Sequence, residues 1–177
     1  MKTTAILIAE FGGQGTLFAG KVLANASLFK GLEVSWLPSY GPEMRGGTAN
    51  CSVMISESPI GSPIVSHPDI LIALNKPSFD KYEKMAAPGS TVLVDSSLVD
   101  SKSERTDITV HYVPATQLAT EVGNSGLSNI VLLGKALKET GIFTEEEICD
   151  VLCKMIPERK AAMRELNCKA LKAGLEF

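Results

Sequence analysis

The chain has 177 residues, 45% of them hydrophobic, enough for one domain with a substantial core. Its formal net charge is −3 and its pI is near 5.5, which excludes a global basic field that would draw it to nucleic acid or to a membrane surface. The longest apolar runs, AILIA and DILIAL, are far too short to span a bilayer, and MKTTAILIAEFGGQG carries no signal-type cleavage site, so a cytoplasmic location is expected.

TTAILIAEF is a short β-branched run that stops at Gly12-Gly13, and it predicts a buried first strand. From Gln14 the period changes. Phe18, Val22, Ala26 and Phe29 recur at helical spacing, Lys21 and Lys30 lie off that stripe, and Gly31 predicts the stop. EVSWLP predicts a second strand, followed by the glycine-bracketed loop SYGPEMRGGTANC at residues 39–51. TANCSVMIS alternates, with Ala49, Cys51, Val53 and Ile55 on one face. After the connection ESPIGSPIVSHP, the apolar run DILIAL predicts a strand covered on both faces, and KPSFDKYEKM a helix opening at a proline. STVLVD and ITVHYV predict two more strands, and PATQLATEVG a short helix.

GNSGLSN opens a longer helix with Leu127, Ile130, Val131 and Leu137 on one stripe. Thr144 and Glu147 predict a capping box for a helix that buries Ile148, Val151, Leu152 and Met155. A final helix after Pro157 is expected to turn Ala162, Leu166, Ala170 and Ala173 inward. Early strands, late helices and short strand–helix alternation predict α/β class: a single three-layer domain, residues 1–177, with a mostly parallel sheet and a helical C-terminal part.

FGGQGTLFAG stands where a phosphate-binding turn would stand, between a strand and the start of a helix. Gly13 and Gly15 supply the first two positions of the dinucleotide fingerprint. The third is Phe18, too bulky for close helix–strand packing, and no acid ends the second strand. Dinucleotide binding is therefore disfavoured. A stand-alone nucleotide- or anion-binding module remains the alternative reading of this turn. The four cysteines, Cys51, Cys149, Cys153 and Cys168, form no C-x-x-C and no run able to hold an iron–sulfur cluster, and are read as small apolar fillers. His67 and His111 sit in separate segments, with no nucleophile that sequence pairs to either. No catalytic residue and no metal site is assigned.

GGQG, SYGPEMRGGTANCSVMIS, PDILIALNKPSFDKY and GNSGLSNIVLLGKAL, in that order and with the ending NCKALKAGLEF, resemble the gamma subunit of 2-oxoacid:ferredoxin oxidoreductases. The resemblance runs over essentially the whole chain. Such enzymes decarboxylate a 2-oxoacid oxidatively to an acyl-CoA and pass two electrons to ferredoxin. The resemblance implies alpha, beta and delta partner subunits that carry the thiamine diphosphate, Mg and iron–sulfur clusters, with coenzyme A as co-substrate. It also implies that this chain is an essential, non-catalytic subunit that binds no cofactor of its own. The form of the second motif is more like 2-oxoglutarate and branched-chain 2-oxoacid enzymes than pyruvate ones. GNSGLSN departs from the expected arginine-containing loop before Asn129, which speaks against a phosphate-binding role there.

The candidate interface or site-shaping residues fall in three places. Gly12, Gly13 and Gly15 permit a sharp turn and close approach of a neighbour, while Gln14 either offers an amide to a partner or is a solvated loop side chain. Asn129 opens the later helix. Tyr40, Gly41, Pro42, Glu43, Arg45, Gly46 and Gly47 form the long loop. An exposed Glu43/Arg45 pair would be worth about 0–1 kcal/mol, little reason for a glycine frame around it. Buried between subunits, the same pair would fix geometry.

Overall fold

The computed structural model describes residues 3–13, 15–39 and 49–177. Six strands form one sheet: β1 (Thr3–Glu10), β2 (Glu33–Ser39), β3 (Ala49–Ser56), β4 (Ile70–Ala73), β5 (Thr91–Asp95) and β6 (Thr109–Val113), in the order β2-β3-β1-β4-β5-β6. The β1–β4, β4–β5 and β5–β6 pairs are parallel, whereas β3 runs against both β1 and β2. Only β3 is reversed, and the sheet is mostly parallel as expected.

The apolar strands bury both faces, and alternate residues reach different cores. Ile6, Ile8, Ile70, Ile72 and Leu93 join one cluster, and Leu7, Ala9, Leu71, Ala73, Val92 and Val94 the other. The first face is covered by α1 (Thr16–Phe29), α3 (Ala115–Val122), α4 (Ser128–Thr140), α5 (Glu145–Met155) and α6 (Ala161–Glu176). The second is covered by one short helix, α2 (Lys76–Tyr82), through Phe79 and Tyr82, together with Val65 and Val99 from connecting segments. The three layers are therefore unequal.

Local chemistry sets the helix ends. Asn75 Oδ1 accepts from Ser78 N–H at 3.0 Å to start α2, with Pro77 in the first turn where its missing N–H costs nothing. The Thr144/Glu147 capping box forms in both directions, at 2.9 and 3.2 Å. Lys30 reinforces it at 2.9 Å from Glu147. Gly31 ends α1 with the paired bonds Gly31 N–H to Leu28 O and Leu32 N–H to Ser27 O, both 3.0 Å.

Two helix stripes differ from expectation. On α1 the buried residues are Thr16, Ala19, Gly20, Val22, Leu23, Ala26 and Ser27, while Phe29 is 56% exposed. A Cβ on Gly20 would strike Trp36 and Cys51, so the helix lies down on the sheet along its small residues, which leaves Phe18 half-buried against the core and turns Phe29 outward. On α6 the buried residues are Asn167, Ala170, Leu171 and Gly174, and Ala162 is exposed. The cause is close packing against α4. A Cβ on Gly174 would collide with the carbonyl of Val131, and one on Gly134 with that of Leu171. Helix α4, buried continuously from Ser128 to Leu137, is held between the sheet and α6.

Candidate functional site

Helix α1 leaves β1 toward one face of the sheet, and α2 leaves its neighbour β4 toward the other. The strands stay paired to their C-terminal ends, where the connections after them leave toward opposite faces, the location where open α/β sheets form ligand or partner crevices.

The glycine turn stands at this edge. Gly12, Gly13 and Gly15 have φ of 109°, 91° and 87°, a region that side-chain-bearing residues rarely enter. Gly15 also has no room for a side chain, because a Cβ would lie 2.6 Å from Asn129 Nδ2. Its carbonyl accepts from Phe18 and Ala19 N–H at 3.0 and 3.1 Å, and from Asn129 Nδ2 at 2.9 Å. The fold thus ties the first glycine motif to the start of α4 across 114 residues of sequence.

Glu10, the last residue of β1, is only 4% exposed. Its Oε2 accepts from Thr16 N–H at 3.2 Å, at the first turn of α1. The protein's own carboxyl group therefore occupies the place where a bound anion would meet the positive end of that helix. This geometry argues against the turn as a phosphate cradle.

The described residues that flank the long loop lie at the same edge. Ala49 pairs with Glu10, and Ser39 with Asn50, so both flanking positions sit beside the glycine turn. Asn50 Nδ2 donates to the Tyr82 hydroxyl at 2.9 Å, linking the re-entry point to α2. Tyr40, Gly41, Pro42, Glu43, Arg45, Gly46, Gly47 and Gln14 themselves lie outside the described residues. Of the sequence-derived candidates, the structure gathers Gly12, Gly13, Gly15 and Asn129. Reading by motif missed Glu10 and Thr16; the available signal was a lone acid closing an otherwise apolar strand.

Among the described residues, the titratable side chains near this edge are not gathered into a catalytic set. His67 Nδ1 lies 3.2 Å from the Met85 carbonyl, and His111 Nε2 lies 3.6 Å from Glu139. Burial lowers the ionisation of His111 below its ordinary value, outweighing the neighbouring carboxylate. Burial pushes the Cys51 thiol up to about 12 and also raises those of Cys149 and Cys168, which disfavours the reactive thiolate. Among the described residues, no group of three or more His, Cys, Asp or Glu side chains is placed to hold a metal ion. No described helix is long and apolar enough to cross a membrane.

A family model described as pyruvate ferredoxin/flavodoxin oxidoreductase matches residues 5–177. The chain is 39% identical over 174 residues to ketoisovalerate oxidoreductase subunit VorA of Methanothermobacter thermautotrophicus, covering 97% of this chain and 36% of that one. It thus spans little more than a third of that relative's length. It is 36% identical over 174 residues to 2-oxoglutarate synthase subunit KorC of Methanocaldococcus jannaschii, covering 97% of this chain and 91% of that one. Among solved structures, the gamma subunit of a keto/oxoacid ferredoxin oxidoreductase from Geobacter sulfurreducens superimposes with a TM-score of 0.87 at 31% identity, over 99% of this chain and 96% of that one.

Proposed function

Because the chain belongs to the pyruvate ferredoxin/flavodoxin oxidoreductase family, we propose that it is the gamma subunit of a 2-oxoacid:ferredoxin oxidoreductase. Residues 1–177 would act as one gamma-type domain in a cytoplasmic complex with alpha, beta and delta subunits, which delivers electrons to ferredoxin. The observation that carries this reading is the end-to-end match to a chain of nearly the same length, a 2-oxoglutarate synthase subunit. We favour 2-oxoglutarate as the substrate and a branched-chain 2-oxoacid next. The ketoisovalerate relative is slightly more identical, but this chain spans only 36% of it.

The reaction joins decarboxylation of a 2-oxoacid to thioester formation with coenzyme A and two-electron transfer. Thiamine diphosphate supplies the electron sink for the carbanion left by decarboxylation. Thiamine, Mg and iron–sulfur clusters are assigned to the other subunits. Three of the four thiols of this chain are poorly suited to ligate a cluster, since Cys51 is sealed between α1 and β2, and burial raises Cys149 and Cys168. What this chain contributes is shape. The glycine turn lets a neighbouring backbone approach, Glu10 and Asn129 hold that turn rigid, and Ser39 and Ala49, which flank the segment with Glu43 and Arg45, lie beside it. In this reading the pair is buried against another subunit, where removing one partner costs roughly 3–5 kcal/mol.

The test is to purify the assembly through this chain under native, oxygen-free conditions. Dye reduction with coenzyme A is then assayed on 2-oxoglutarate, branched-chain 2-oxoacids and pyruvate. Thiamine- and cluster-bearing partners and 2-oxoacid-dependent turnover are expected. Arg45→Ala should leave the isolated chain folded and impair assembly or turnover. Isolation without partners, or normal assembly and turnover by the Arg45→Ala protein, would count against the subunit reading and the interface role of the loop respectively.

A further inference from the structure

Three of the four cysteines meet where α5 packs on α6. Cys149 and Cys153 stand four residues apart on α5 and share one face of it. Cys168 of α6 lies against that face, with its thiol in hydrogen-bond contact with both of the others. Arg164 holds the two helices together beside this contact. Its Nε donates to the Ile156 carbonyl at 2.7 Å, about one turn along from Cys168 on α6 and from Cys153 at the end of α5.

The three thiols differ in access. Cys149 and Cys168 are half-buried and pack against the core, whereas Cys153 is exposed. Burial raises the ionisation of Cys149 and Cys168, so neither is the first to meet an oxidant arriving from solution. Cys153 is the point of entry. The helix then decides its partner. Cys149 is fixed about 6 Å away along the axis of the same helix, and its side chain leans the same way. A bond between those two sulfurs would require α5 to unwind. Cys168 stands on a separate helix, already in contact, and reaches bonding distance by rotation about its own side-chain bonds.

We propose that Cys153 is a reversible oxidation site for a small peroxide, and that Cys168 resolves it as a disulfide between α5 and α6. The Cys153 sulfur attacks one oxygen of hydrogen peroxide. The O–O bond breaks, one water leaves and Cys153 becomes a sulfenic acid. The Cys168 sulfur then attacks the Cys153 sulfur and the S–O bond breaks. The departing hydroxide takes the Cys168 proton and leaves as a second water. Together the two thiols give up two electrons and two protons, and one peroxide becomes two waters. A small-molecule thiol reductant restores both. The bridge keeps Cys153 from advancing to the sulfinic and sulfonic acids, which thiols do not reverse. The proposal does not depend on the subunit reading.

In the test, the full chain is reduced, treated with hydrogen peroxide, capped with iodoacetamide and read by intact and peptide mass spectrometry. The parent chain is expected to lose two hydrogens, to escape capping at Cys153 and Cys168, and to yield a fragment joining those two residues. Dithiothreitol should reverse all three changes. Cys149→Ala should form the same bridge. Cys168→Ala should form none and accumulate Cys153 sulfinic acid. Cys153→Ala, at the exposed position where the fold is least disturbed, should form none and leave Cys168 reduced. A parent chain that keeps all its thiols, that carries Cys153 sulfinic acid without a bridge, or that joins two chains instead would overturn the proposal. So would a bridge that persists in Cys153→Ala.

Discussion

The contact between α4 and α6 and the C-terminal edge of β1 both depend on glycine, in opposite senses. In the first, Gly134 and Gly174 remove side chains so that two backbones touch, and the space is closed. In the second, Gly12 and Gly13 hold left-handed conformations at the surface, and a Cβ on Gly13 would meet nothing within 4 Å. The space there is open. A glycine that closes a contact inside the fold reports on stability; one that shapes an open edge reports on what the fold meets.

The comparison can be broken most forcefully at its packed end. Gly134→Ala and Gly174→Ala should each cost about 3 kcal/mol, the upper part of the usual range for overpacking, because the added methyl strikes backbone rather than a movable side chain. Urea unfolding midpoints measure this. The double variant should cost less than the sum, since one separation of the helices relieves both collisions. Full additivity would mean that the two glycines do not share one contact.

A smaller effect sharpens the open end. Glu10→Ala strands the Thr16 N–H and should cost about 1–3 kcal/mol. It should also uncover the positive end of α1, so that sulfate stabilises the variant but not the parent protein, as read by thermal midpoints at fixed ionic strength. Equal sulfate stabilisation of both would show that Glu10 does not occupy that position.

The smallest effect lies on neither region and serves as a control. Burial lowers the ionisation of His111 from 6.5. The unfolded chain therefore binds that proton more readily than the folded one. The contribution of the neutral ring to stability is complete above pH 6.5 and is lost as pH falls through the window below it. His111→Gln should flatten that limb of the stability–pH curve and leave assembly unchanged.

The same contrast explains what the sequence made legible. Strand positions, the capping box of α5 and the proline start of α2 follow from local chemistry, and the motifs carried the family. On α1 and α6 the expected stripes met the core at Val22, Ala26 and Ala170 but failed at Phe29 and Ala162, and close approach adds Gly20, Asn167 and Gly174, which apolar spacing does not pick out. Asn129 was chosen from its motif, but its bond to Gly15 is a product of the topology. Glu10 escaped notice because a strand-terminal acid looks like a surface residue until the chain folds over it.

The central claim is that the edge bearing the glycine turn faces the rest of an enzyme complex. Hydrogen exchange of the isolated chain and of the assembly purified with it tests this most directly. The account predicts added protection in the assembly over residues 10–15, 39–50 and 124–129, with α6 little changed. Protection confined to the opposite edge of the sheet, around Asp69, Gly89 and Gly141, with the glycine turn unaffected, would contradict it.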